Sequence, residues 1–91
     1  MCTFDTIEPA DLTTALRALA WTLTVPDRAN RLLALTGLAP ADLRERASAP
    51  DVLAATLCFL ENHEPDLIAC ATALAIRPED LIATRQRLER Q

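Results

Sequence analysis

The residue types that could carry catalysis or hold a metal are few in this chain. It has one histidine (His63), one serine (Ser48) and three cysteines (Cys2, Cys58 and Cys70), with no lysine and no tyrosine. A Ser-His-Asp hydrolase would need Ser48 and His63 to meet. Ser48 instead stands in Ser48-Ala49-Pro50-Asp51, which reads as a helix cap with its acidic third residue. His63 lies between Asn62 and Glu64 at a polar helix end, where a solvated histidine suits the helix dipole. Cys58, His63 and Cys70 form the spacing Cys-x4-His-x6-Cys, which is no zinc pattern, and residues five apart on a helix point in different directions. Cysteines among alanines and leucines pack as small hydrophobes. One glycine cannot build a phosphate loop, and the lack of lysine excludes Schiff-base and P-loop lysines. The carboxylates are accounted for by capping. These residues predict no enzyme, no cofactor and no metal site.

Binding chemistry is better represented. In the first predicted helix, Leu12, Leu16, Leu19 and Leu23 fall within about 60° of one another and form an apolar stripe. Trp21 lies about 180° from that stripe, with Arg17 or Arg28 as neighbours. Either this helix is buried on both sides, or Trp21 is exposed and forms a contact of the kind tryptophan makes in interface hot spots. Trp21, Arg17 and Arg28 are therefore the candidate partner-binding residues. Phe59 flanks its own stripe and reads as core.

A second binding pattern lies in residues 67–90. Ala71, Ala75-Ile76 and Leu81 sit where helix-turn-helix proteins place a small residue, the turn and a buried apolar residue. On that reading the last helix would show Thr84, Arg85 and Arg87 to DNA. Glu79 and Asp80 would then face phosphates, which is electrostatically wrong. A tight helical hairpin has the same packing needs.

The elements that must position these groups are announced by proline. Each of Pro9, Pro26, Pro40, Pro50, Pro65 and Pro78 is followed within two positions by an acid. Proline suits a first helical turn because its missing N–H has no partner there, and carboxylates favour the same turn through the dipole. The spacing predicts helix one over about 8–24, led in by residues 1–7 with Ile7 as a hydrophobic staple. A second helix turns Ala29, Leu32, Leu33 and Thr36 inward and stops at Gly37. A short third carries Leu43 and Ala47. A fourth shares Val52, Leu53, Thr56, Leu57 and Leu60 on one face. A fifth takes Leu67, Ile68, Ala71, Leu74 and Ala75, and a sixth takes Leu81, Ile82, Arg85 and Leu88.

Composition agrees with one all-α domain over residues 1–91, a compact bundle of five or six short helices. Apolar residues make up 51% of the 91, and alanine and leucine, both strong helix formers, supply most of them. No stretch alternates like a half-buried strand. The net charge of −4 argues against non-specific binding to nucleic acid or anionic membranes. There is no signal-peptide pattern and no membrane-length apolar run. Three widely spaced cysteines fit reduced thiols, so a cytoplasmic location is expected.

A faint repeat appears at an offset of 38 residues. It lays Leu35 through Leu43 over Ala73 through Leu81, Trp21 over Phe59 and Leu19 over Leu57. The chain reads as two similar three-helix halves.

Several stretches together resemble domain-of-unknown-function family 3572, a group of small bacterial proteins. They are Ala15-Leu16-Arg17-Ala18-Leu19-Ala20-Trp21-Thr22-Leu23, Pro26-Asp27-Arg28 and Arg31 through Arg44. Val52-Leu53 through Phe59-Leu60, Pro78-Glu79 and Ala83-Thr84-Arg85 continue the similarity. Leu35-Thr36-Gly37-Leu38 with Pro40 and Leu43-Arg44 is the most specific piece. The resemblance implies a compact helical domain and no assigned activity or site residues. Ala75 departs from it, since glycine is expected in the second turn. The expectation for function is a non-enzymatic module that binds a protein partner or itself through a helix face; the alternative is the helix-turn-helix reading.

Overall fold

The computed structural model describes residues 8–90. Six α-helices follow one another: α1 (Pro9–Thr22), α2 (Pro26–Thr36), α3 (Pro40–Glu45), α4 (Pro50–Glu61), α5 (Glu64–Leu74) and α6 (Pro78–Glu89). No strand occurs among the described residues. Ile7, Cys2 and the lead-in they belong to lie outside them.

Proline is the first residue of every helix except α5, where Pro65 is second. Each first turn also holds an acid. The Ser48 cap is not formed: the residue before α4 is Ala49, and its helix start carries no side-chain cap bond. Only α6 has a carboxylate reaching back, where Asp80 Oδ2 accepts from the Arg77 backbone N–H at 3.0 Å. Proline geometry and first-turn charge thus start these helices with little help from capping side chains.

Two helices end on left-handed residues. Gly37 (φ 75°) donates its N–H to Leu33 O at 2.8 Å and closes α2. Ala75 (φ 60°) closes α5, with Ile76 N–H to Ala71 O at 3.0 Å and Ala75 N–H to Thr72 O at 3.1 Å. This double bond pattern is a Schellman motif built on a residue with a Cβ.

The fourth helix is the centre of the packing. It buries Val52, Leu53, Ala54, Thr56, Leu57, Phe59 and Leu60, and touches α1, α2, α5 and most extensively α6. Buried threonines satisfy their hydroxyls inside their own helices: Thr22 on Ala18 O, Thr56 on Val52 O and Thr84 on Asp80 O, at 2.8–3.0 Å.

The expected stripe of α1 needs correction. Its buried line is Asp11, Ala15, Ala18 and Thr22 with Leu19, whereas Leu12 and Leu16 are only partly buried and Leu23 is exposed. Small side chains on that line let α1 approach its neighbours, and the leucines flank the contact on one side. Asp11 is buried because it accepts three bonds of 2.8–3.0 Å from Arg87 Nε and Nη2, which tie α1 to α6. Ile68, expected inward, is 49% exposed, and Cys70 takes the buried place instead.

Candidate interaction surface

Trp21 sits near the end of α1, on the other flank of the buried line from the leucines. It is partly buried and packs against the core while keeping some surface. The helix is therefore covered on two sides, as its sequence allows, but the second cover is incomplete. The Arg28 guanidinium from α2 lies over the indole, 3.7 Å from its centroid. Arg28 Nη2 also donates to Trp21 O and to Thr24 Oγ1, each at 3.1 Å. Its buried Nε has no acceptor among the described residues.

Arg17, one helical turn before Trp21, is exposed and donates from Nη2 to Leu74 O at 3.3 Å. Both arginines thus supply a donor to carbonyls at the ends of helices, α1 for Arg28 and α5 for Arg17, where cations are favoured. Neither forms an ion pair with a carboxylate among the described residues. The three residues singled out from the sequence are brought to one face of the fold.

Beneath this face lies Cys70. Burial pushes its thiol up to about 11, even though the Arg28 and Arg17 charges pull it down. It is a protonated core thiol at neutral pH. Cys58 departs from the filler role expected of it, because it is exposed on α4, with Asn62 Nδ2 3.7 Å from its sulfur.

Cys58 belongs to a feature that the sequence did not reveal. Asp51, Ala54, Ala55 and Cys58 floor a trough along the open side of α4. One depression, of about 660 Å³, runs toward Leu88 and Glu89 of α6. Another, of about 390 Å³, runs toward Leu35, Leu38 and Arg46. Leu35 is 64% exposed at its rim. The signal was the run of small residues at 54, 55 and 58, which reads equally well as core filling.

The residues of the DNA reading are occupied elsewhere. Thr84, 2% exposed, faces the core and bonds Asp80 O, so it is withdrawn from any recognition surface. Arg85 is clamped by Glu61 and Glu89, whose hydrogen bonds hold its pKa above the ordinary arginine value. Arg87 carries the Asp11 pair. His63 Nδ1 lies 2.8 Å from Asp66 Oδ2, which Arg31 also reaches at 3.3 Å. No hydrogen bond joins His63 to Ser48 among the described residues; Ser48 is exposed in the turn between α3 and α4.

Residues 8–91 match a protein family described only as a protein of unknown function. No curated protein and no solved structure matches the chain.

Proposed function

This chain belongs to the DUF3572 family, whose description assigns no activity, and we propose that it is a non-enzymatic module that binds a protein partner through the α1–α2 face around Trp21. One observation carries the reading. A partly exposed tryptophan is framed by two arginines that no carboxylate neutralises among the described residues. Tryptophan and arginine are the side chains that most often dominate interface energies, since each combines a large apolar surface with directed donors. The turn after Trp21 adds two exposed apolar residues, Leu23 and Val25. The free thiols of Cys58 and Cys70 suit a reducing compartment, which supports a cytoplasmic setting as part of the proposal.

The test compares tagged wild-type protein with Trp21→Ala in nuclease-treated extract of the native host. A discrete protein held by the wild type and lost by a folded Trp21→Ala chain is the expected outcome. Equal capture by both chains would remove Trp21 from the interface, and recovery that vanishes with nuclease would favour nucleic acid.

A further inference from the structure

We infer that the Trp21 face takes an acidic segment of another protein, in which carboxylates meet Arg17 and Arg28 while an apolar side chain rests on the indole; this rests on the interface reading above. Charge is the first argument. The chain as a whole is acidic, at −4, yet residues 12–38 hold Arg17, Arg28 and Arg31 against the single acid Asp27. Of the three, only Arg31 is paired, with Asp66. Arg17 and Arg28 are thus positive charges without carboxylate partners on an acidic molecule, and they attract groups of opposite sign that the net charge elsewhere repels.

Donor geometry is the second argument. A guanidinium offers five N–H groups in a rigid fork that matches a carboxylate. Arg17 commits one of them, at 3.3 Å, and keeps its fork for a carboxylate; Arg28 commits Nη2 to two acceptors and buries Nε, so it offers a ligand Nη1 and its charge. The backbone bonds and the indole hold Arg28 in place before any ligand arrives, which lowers the ordering cost of binding.

The internal repeat provides the third. The positions 38 residues after Trp21, Arg28 and Arg17 are Phe59, Asp66 and Ala55. Phe59 is buried under Arg31, 5.7 Å from its ring centroid, and Asp66 is paired with Arg31 and lies 2.8 Å from His63 Nδ1. The same helical framework is therefore built in the second half with its aromatic enclosed and its charge matched. Packing does not demand an open aromatic beside unmatched arginines. A phosphate backbone is the poorer occupant, since two arginines without carboxylate partners, in a stretch that also holds Asp27, give little of the extended positive stripe that nucleic acid requires.

Trp21 is the only tryptophan, so its fluorescence reports this face directly. The full chain is titrated with a short peptide of alternating glutamate and leucine pairs, with its lysine counterpart and with a short DNA duplex. The expected result is a saturable change in Trp21 emission with the glutamate peptide alone, weakened by salt. Arg17→Gln and Arg28→Gln should each weaken it by about tenfold, the loss of one charge-assisted contact. Arg17→Gln keeps the test open should Arg28→Gln unfold, because Arg17 gives up one long bond only. An equal response to the lysine peptide, a preference for the duplex, no response, or unchanged affinity in a folded Arg17→Gln chain overturns the inference. If the peptide fails while Trp21→Ala still loses its protein partner, the acidic chemistry is wrong and the interface stands.

Discussion

The two halves of the molecule, α1–α3 and α4–α6, share a burial pattern more closely than they share residues. Ala15, Ala18, Leu19, Thr22, Leu32 and Leu43 are all buried, and 38 residues on stand Leu53, Thr56, Leu57, Leu60, Cys70 and Leu81, buried likewise. Helices α2 and α5 begin and end at positions 38 apart, and so do the left-handed residues Gly37 and Ala75. The halves diverge in how they are used. The helix α4 buries its aromatic Phe59 and leaves Asp51, Ala55 and Cys58 on its open side, whereas its counterpart α1 leaves Arg17 and part of Trp21 at the surface. The helix α6 runs twelve residues against α4 and α1, whereas α3 is a six-residue turn. The framework occurs twice, and one copy leaves part of an aromatic at the surface beside two arginines that lack carboxylate partners among the described residues, which is the difference the proposed interface rests on.

The strongest way to break this comparison is to truncate matched leucines. Leu57→Ala, at the fully buried centre of α4, should cost about 3–5 kcal/mol, and its partner Leu19→Ala about 2–3 kcal/mol, read from urea unfolding. Equal losses would mean the halves share the core evenly. Next in size is the tie between them. Arg87→Gln leaves the Asp11 carboxylate, 9% exposed, without its three bonds and should cost about 2 kcal/mol by the same measurement.

The left-handed turns give opposite signs at matched places. A Cβ at Gly37 would meet nothing within 4 Å, so Gly37→Ala suffers only the backbone penalty, about 1 kcal/mol. Ala75→Gly should relieve the same penalty and raise thermal stability. A loss on Ala75→Gly would show that unfolded-state entropy outweighs the strain.

The smallest effect is titration. Because the Cys70 thiol is raised to about 11 in the fold, the unfolded chain deprotonates first and binds fewer protons. Stability should therefore decline between about pH 9 and pH 11, and Cys70→Val should remove that component of the slope. At pH 8, alkylation should label Cys58 and spare Cys70, as peptide mass spectrometry would read.

Legibility from the chain varied with the range of the interaction. Helix starts at all six prolines and the stop at Gly37 are legible in the sequence, because each depends on one or two residues and their own backbone. Phe59 was recognised as core from its helical face. The buried line of α1 is not legible there, since leucine periodicity marks apolar residues and says nothing of which flank meets a neighbour. Here alanine and threonine allow the close approach, and an aspartate is buried because its arginine arrives from 76 residues away. Cys58 and Ile68 were misplaced for the same reason.

For the candidate site, the sequence drew attention to Trp21, Arg17 and Arg28 but left open whether the tryptophan was core or surface. Only packing resolved it: the indole is part of both, and the arginines cap helix ends. The local preferences of proline, glycine, acid and leucine determined that this chain is an all-α bundle of five or six short helices with similar halves. Which half is enclosed, which charges find partners and which aromatic stays open were decided by tertiary contacts, because burial and ion pairing are properties of neighbours that sequence spacing does not specify.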